Sequence, residues 1–184
     1  MRPQLNISFN SIGGYYENGN IIPTPEGPKA IADALLVNTS LTKISLASNP
    51  LEEEGTKVIC DALKSNSTLK ELDLNGRGFA SGIIGGLAGA KHVADMLGVN
   101  ASLTKISLAA NKLEEEGTKA ICETLKTNTT VKELDLSGGY DHLDRIEDNI
   151  GGSAGAKHVA DMLCVTTSLT HCDVRHNNII GEGA

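Results

Sequence analysis

Aromatic side chains are almost missing from this sequence. Its 184 residues include two phenylalanines, three tyrosines and no tryptophan, whereas 40% of the residues are hydrophobic. Large rings supply much of the buried area in many proteins, so a core here has to be built from aliphatic side chains. With 21% charged residues, the composition is otherwise that of an ordinary folded protein.

Long hydrophobic runs and an excess of positive charge are also absent. No apolar stretch approaches the ~20 residues that a membrane helix needs, and the first residues lack the apolar segment of a secretory signal. The formal net charge of −7 argues against nucleic acid or a membrane surface as a partner, because both carry negative charge. We therefore expect a cytoplasmic protein.

The four cysteines do not form the pattern of a disulfide framework. Cys60 and Cys122 occupy the same position in two similar segments, where other predicted helices carry alanine. Cys172 takes a position that isoleucine or leucine fills elsewhere. Because these positions favour small or apolar buried residues, we interpret the cysteines as free buried thiols in a reducing compartment.

Two segments of the chain are near-copies of each other. Residues 41–75 and 103–137 align without a gap and agree at 26 of 35 positions. Each begins with the pattern L-x-x-L-x-L-x-x-N, for example Leu41, Ile44, Leu46 and Asn49. The later part of this pattern is found at the N-terminus, as Leu5-x-Ile7-x-x-Asn10, and the pattern, complete or in part, starts again at Leu41, Leu69, Leu103, Val131 and Leu169. Such a period indicates a repeat array.

A helical pattern follows each of the first five of these stretches. Apolar residues lie four and eight positions after a glycine, as Ile59 and Leu63 do after Gly55, and they mark one buried helical face. The predicted helices are 27–36, 55–64, 89–98, 117–126 and 155–164. The first four end near an asparagine, a residue that tolerates a left-handed C-cap.

This unit of strand and helix, 28 residues in its shortest form, resembles the leucine-rich repeat family. Within that family it is similar to the ribonuclease-inhibitor-like class, as in NOD-like receptors and Ran GTPase activators. The resemblance implies an α/β fold, a right-handed β-α solenoid (horseshoe) with a parallel concave sheet and convex helices. We expect one domain over residues 1–184, of about six repeats and as part of a longer array, with strands near 4–8, 43–47, 71–75, 105–109, 133–137 and 171–175.

Every second repeat is longer than its neighbours. Insertions of 11, 6 and 10 residues lie between the end of a strand and the start of a helix, within 13–26, 76–88 and 138–154. Insertions at one register project from one rim of a solenoid, where they often form a binding face. Four of the five aromatic residues lie in them: Tyr15, Tyr16, Phe79 and Tyr140.

Two interpretations of these rings stay open. Rigid aromatic side chains on exposed loops are typical anchors of protein interfaces, because they bury a large area at low entropic cost. Alternatively, each ring folds back over its own loop and shields the core.

Alternation along the strands predicts two columns of side chains that point away from the helices. The first alternates in charge: Gln4, Lys43, Glu71, Lys105, Glu133 and His171. The second is more acidic: Asn6, Ser45, Asp73, Ser107, Asp135 and Asp173. Lateral Lys–Glu pairs would satisfy the first column as solvated ion pairs. The aspartates of the second have no basic neighbour in that column and could receive a basic or hydrogen-bond-donating ligand.

Other patterns that suggest chemistry have simpler explanations. The acidic triplets at 52–54 and 114–116 precede helices, where the helix dipole stabilises carboxylates. The acidic residues at 141–148 lack the spacing of a calcium loop, and the glycine-rich second insertion lacks that of a phosphate loop. His92 and His158 match within identical runs and are predicted to be semi-exposed helix residues. No arrangement typical of a nucleophilic catalyst stands out.

We therefore expect a non-enzymatic module, without cofactor or metal, that binds a protein through the concave sheet and the inserted loops. The predicted contact residues are Tyr15, Tyr16, Phe79, Tyr140, Glu71, Asp73, Glu133 and Asp135. The alternatives are a regulator of an enzyme, such as a GTPase activator, and a structural repeat that self-associates through its open ends.

Overall fold

The computed structural model describes residues 3–18, 20–76, 83–140 and 145–180, without the side chain of Tyr16. In chain order the elements are β1 (Gln4–Asn6), β2 (Gly14–Glu17), β3 (Asn20–Pro23), α1 (Glu26–Val37), β4 (Lys43–Ser45), α2 (Glu52–Ser65), β5 (Glu71–Asp73), α3 (Gly86–Val99), β6 (Lys105–Ser107), α4 (Glu114–Leu125), β7 (Glu133–Asp135), β8 (Gly139–Tyr140), β9 (Ile146–Glu147), α5 (Gly152–Leu163) and β10 (His171–Asp173).

One parallel sheet runs through the described part of the chain. Its strands lie in the order β1-β4-β5-β6-β7-β10, and each pairs in register with the strand of the next repeat. The central residue of each inner strand is buried: Ile44, Leu72, Ile106 and Leu134. These residues join the helix residues Ile59, Leu63, Val93, Leu97, Ile121 and Leu125 in one aliphatic core. The predicted α/β repeat fold is confirmed.

The sheet strands are shorter than predicted. Each begins at the expected residue but ends at the third residue instead of the fifth, so that strand 43–47 is in fact Lys43–Ser45. The same correction applies to 4–8, 71–75, 105–109, 133–137 and 171–175. After four of the six strands the reason is a turn that follows directly, in which Phe9, Ser48, Ala110 and His176 have positive φ angles.

Four of the five helices begin three residues before the predicted glycine. The glycine is required by packing and not by the start of the helix: a Cβ on Gly89 would overlap the carbonyl oxygen of Ile84, and one on Gly155 that of Ile150. The triplet Glu52–Glu54 forms the first turn of α2, and Glu114–Glu116 forms that of α4. Carboxylates there face the positive end of the helix dipole, as predicted.

The prediction of left-handed caps at the helix-end asparagines is wrong. Asn38, Asn66 and Asn100 have φ angles of −78°, −74° and −72° with extended ψ angles. Their side chains instead hold the turn to the next strand, and those of Asn66 and Asn100 also link neighbouring repeats. The Oδ1 of Asn100, for example, accepts hydrogen bonds from the Ser102 and Leu103 amides at 2.9 and 2.8 Å, and its Nδ2 donates to Leu63 O at 2.6 Å.

Two of the insertions form antiparallel hairpins, where the sequence predicted loops. Strands β2 and β3 pair Tyr15 with Ile22, and β8 and β9 pair Tyr140 with Ile146. Both hairpins emerge at the edge of the sheet where the parallel strands end, because each insertion follows a strand and precedes a helix. Among the described residues, no helix combines the length and the apolar character required to cross a membrane.

Candidate functional site

The candidate site is the face of the sheet that carries no helix, which we call the open face. Its first column contains the two predicted ion pairs: Lys43 Nζ lies 3.0 Å from Glu71 Oε2, and Lys105 Nζ lies 2.6 Å from Glu133 Oε2. The hydrogen bond between Lys105 and Glu133 raises the pKa of the lysine and lowers that of the glutamate. These side chains are 40–49% exposed, so solvent screens the pairs.

In the second column, hydroxyl groups and backbone amides donate hydrogen bonds to the aspartates. Ser45 Oγ donates to Asp73 Oδ2 at 2.6 Å, and Ser107 Oγ donates to Asp135 Oδ2 at 2.9 Å. The amide two residues further on also donates to each aspartate, Asn75 N at 3.1 Å and Ser137 N at 3.0 Å. No ion pair to Asp73 or Asp135 is formed within the described residues, so their contacts on the open face are hydrogen bonds.

The last aspartate of this column differs from the other two. Asp173 receives Arg175 Nε at 3.0 Å on Oδ1 and Arg175 NH2 at 2.6 Å on Oδ2. The hydrogen bonds from this guanidinium lower the pKa of Asp173 to about 2. Its charge is therefore compensated within the chain, whereas no basic side chain pairs with Asp73 or Asp135 in the part of the chain that the structure describes.

Phe9 is an exposed ring at the edge of the open face, and it is absent from the predicted contact set. Its side chain is 78% exposed, and its φ angle of 57° is uncommon for a bulky residue. It lines a shallow depression together with Ser45 and Asp73. The sequence signal that could have identified Phe9 is its position directly before Asn10, where the repeat turns.

The predicted rim anchors are exposed where the structure describes them. Tyr15, on β2, is 46% exposed, and Tyr140, on β8, is 53% exposed. The Tyr140 hydroxyl also lies 2.7 Å from His176 Nδ1, and the two rings are 4.9 Å apart between centroids. Tyr140 thus contacts the neighbouring repeat and still offers a ring to solvent. Phe79 and the side chain of Tyr16 lie outside the described residues.

Those acidic residues considered for metal binding that the structure describes have other contacts. Asp148 Oδ2 accepts hydrogen bonds from the Gly151 and Gly152 amides at 2.8 and 2.6 Å, and so anchors the start of α5. Asp141 and Asp144 lie outside the described residues. Over the ranges that the structure describes, no three His, Cys, Asp or Glu side chains gather as metal ligands would.

The paired histidines lie on the helices, as predicted. His92 Nε2 is 3.9 Å from Glu53 Oε1, and His158 Nε2 is 3.7 Å from Glu115 Oε1. Their side chains are 25% and 20% exposed. Because the two contacts are equivalent in the two halves of the chain, they belong to the packing of one helix against the next and not to a separate site.

Known proteins with related sequences indicate the family to which this architecture belongs. Residues 37–60 match the family model described as "Leucine Rich repeat". Over 156 residues, 84% of this chain, the sequence is 31% identical to the Homo sapiens protein "NACHT, LRR and PYD domains-containing protein 13". The chain is a leucine-rich repeat protein. It spans only 13% of the length of that human relative.

The fold of this leucine-rich repeat protein is also found among solved structures. It is similar to "Leiomodin-1 Actin-Binding Site 2 (ABS2)" with a TM-score of 0.56, covering 86% of this chain and 78% of that chain. At 20% identity, this likeness concerns the fold alone.

Proposed function

We propose that the protein is a non-catalytic recognition module that binds a partner protein through the open face and the rim beside it. The observation that carries the proposal is the placement of its exposed rings. Phe9, Tyr15 and Tyr140 are 78%, 46% and 53% exposed, and all three lie at or beyond the ends of sheet strands. Aromatic anchors beside a polar surface are typical of protein interfaces.

The charges of the open face give this surface its polarity. Glu71 and Glu133 are paired with lysines, so the net negative charge comes from Asp73 and Asp135. Serine hydroxyls and backbone amides hold these two carboxylates in place, and rigid groups lose little entropy on binding. A partner that donates hydrogen bonds or carries positive charge fits them.

The relatives support a protein as the ligand. Leucine-rich repeats are part of the name of the human relative, and the leiomodin-1 structure is named as an actin-binding site. Both statements concern those proteins. For this chain we infer only that the ligand is a protein. We expect the chain itself to act in the cytoplasm without a cofactor.

The test compares the affinity of two sets of alanine variants for a partner protein. This partner is first captured by the wild-type protein and then purified. The first set replaces Phe9, Tyr15, Tyr16, Phe79 and Tyr140. The control set replaces exposed valines at the other edge, where helices end: Val37, Val99 and Val165, which are 79%, 62% and 53% exposed.

By isothermal titration calorimetry we expect the aromatic set to weaken binding at least tenfold and the valine set to change it less than twofold. Replacing Asp73 and Asp135 with asparagine should weaken binding and reduce its dependence on salt. Unchanged affinity of the aromatic set would make the rim proposal wrong.

A further inference from the structure

A groove between the β2–β3 hairpin and the first turn of α2 is not explained by the proposed function. It has a volume of about 820 Å³, which lies within the ~300–1,000 Å³ typical of binding clefts. One wall is the β2–β3 hairpin, through residues of β3, the other is the first turn of α2, and Gly85 and Gly86 also line the groove.

Close backbone packing builds this groove. A Cβ on Gly13 would overlap the Pro50 carbonyl oxygen, and one on Gly85 would overlap the Glu53 amide nitrogen. Gly85 also has a φ angle of +81°, in the region that favours glycine. The insertion of the first repeat is thereby held against the second repeat.

The hairpin wall of the groove is mainly apolar, with Asn20 and Thr24 as its polar residues. Ile21 and Pro23 line it from β3, and Pro25 continues the wall towards α1. Ile22, between the first two, does not line the groove and pairs with Tyr15. Ile21 and Pro23, two residues apart, therefore share the face of β3 that brings apolar side chains to the groove.

The opposite wall is acidic. Glu52, Glu53 and Glu54 line it, and no lysine, arginine or histidine is among the groove's lining residues. Glu54 has Lys57 at 3.8 Å and Glu53 has His92 at 3.9 Å. Glu52 is half-buried, and its side chain has no hydrogen bond or ion pair within the described residues.

Glu52 is therefore the groove residue whose charge a ligand would compensate. Burial raises its pKa above the ordinary value, because a desolvated carboxylate without a partner is unfavourable. A cation in the groove would compensate this charge. Lysine and arginine combine a cationic head with an apolar stem, which suits a groove with one acidic and one apolar wall.

We propose that this groove binds an extended basic peptide segment of a partner protein, with an arginine or lysine at Glu52 and Glu53 and its apolar neighbours on Ile21 and Pro23. This interaction surface is separate from the open face. A volume of about 820 Å³ admits a peptide segment and not only an isolated side chain.

The near-copies in the sequence supply a matched control. Glu114 and Glu115 begin α4 as Glu52 and Glu53 begin α2, and Glu115 faces His158 as Glu53 faces His92. The variant E52Q/E53Q tests the groove, and E114Q/E115Q makes the same changes at the equivalent helix. Circular dichroism and thermal melts of both variants show whether they stay folded.

The experiment selects phage-displayed random nonapeptides on the wild-type protein after depletion on E52Q/E53Q. We expect the enriched peptides to carry arginine or lysine beside apolar residues. Measured by fluorescence anisotropy as synthetic peptides, they should bind E52Q/E53Q at least tenfold more weakly and E114Q/E115Q within twofold of wild type. Ile21→Ser should weaken binding, whereas Ile22→Ser should not.

Several results would overturn this proposal. They are selection of no peptide that distinguishes the wild type from E52Q/E53Q, enrichment of peptides without basic residues, and equal competition by free arginine amide. None of these results bears on the open face, because Phe9, Asp73 and Tyr140 are unchanged in every variant.

Discussion

The side chain of Asn149 holds the backbone of Asn111, which lies 38 residues earlier in the chain: its Oδ1 accepts the Asn111 amide at 2.8 Å. The Nδ2 of Asn149 donates to Leu108 O and Leu136 O, each at 3.1 Å. The residue is completely buried. One asparagine thus joins two repeats at the point where their strands end.

Asn149→Ala should therefore be strongly destabilising. It leaves the Leu108 carbonyl and the Asn111 amide buried without partners, and each such group costs about 1–3 kcal/mol. The Leu136 carbonyl keeps a hydrogen bond from Asn177 Nδ2 at 3.0 Å. We expect the free energy of unfolding in urea to fall by about 3 kcal/mol or more. The control is Asn178→Ala at an exposed position, which should change it by less than about 0.5 kcal/mol. Equal effects of the two substitutions would contradict the structural role of Asn149.

The role of Asn149 shows what the sequence could and could not predict. The pattern correctly placed Asn49, Asn111 and Asn177 at the strand ends, because those repeats have no insertion before the asparagine. In the repeat with the third insertion, the asparagine at the equivalent place in the structure is Asn149, which follows the inserted residues. A search at fixed spacing therefore misses it. The hairpins were missed for a related reason, since β2–β3 and β8–β9 follow no repeat pattern.

The open face was more predictable than the groove. Its columns follow from strand alternation and in-register pairing, so Lys43 and Glu71 could be paired from sequence alone. The groove depends on how a hairpin packs against a helix of the next repeat, through Gly13 and Gly85. Nothing in the repeat pattern indicates that contact.

Cys164 should be the most reactive thiol of the native protein. It is exposed, whereas Cys60 and Cys122 are buried and Cys172 is partly buried. Burial raises the pKa of Cys60 and of Cys122 to about 12, and that of Cys172 to about 11. At pH 8, a thiol with the latter pKa is thiolate in only about one molecule in a thousand, and the thiolate is the reactive form.

Titration with Ellman's reagent at pH 8 measures this difference. We expect one fast thiol in the native protein and four in denaturant. Cys164→Ser should remove the fast phase. Two or more fast thiols in the native protein would show that the packing around Cys172 or the helix cysteines is looser than described.

The ion pair between Asp173 and Arg175 should make stability depend on acid pH. An unfolded aspartate titrates near pH ~3.9, and Arg175 lowers the folded pKa of Asp173 to about 2. A lowered folded pKa contributes stability that is complete above the unfolded value and is lost as the pH falls through the folded value. The contribution should therefore disappear between about pH 4 and pH 2.

Arg175→Gln isolates this contribution. We expect the variant to unfold at a lower urea concentration than wild type at pH 6, and the difference to shrink steadily below pH 4. Carbon-13 NMR of the Asp173 carboxyl should show its titration midpoint rise in the variant. A difference in stability that stays constant from pH 6 to pH 2 would show that Arg175 acts by packing and not by its charge.

Two threonines offer a way to stabilise the fold. Thr56 and Thr118 occupy the same position on α2 and α4, are 1% and 0% exposed, and their Oγ1 atoms have no hydrogen-bond partner within the described residues. A buried hydroxyl without a partner is unfavourable, by about 1–3 kcal/mol. Alanine fills the equivalent position in α3, where Ala90 is completely buried, so an apolar side chain is compatible with this packing.

Thr56→Val and Thr118→Val replace the hydroxyl with a methyl group of similar volume. We expect each to raise the free energy of unfolding by up to about 1 kcal/mol, and the two effects to add, because the sites lie on different helices. Thr56→Ser is the matched control: it keeps the hydroxyl and removes the methyl group, and should destabilise by about 1 kcal/mol. Destabilisation by both valine variants would mean that the hydroxyls have donors or acceptors in solution, such as a buried water.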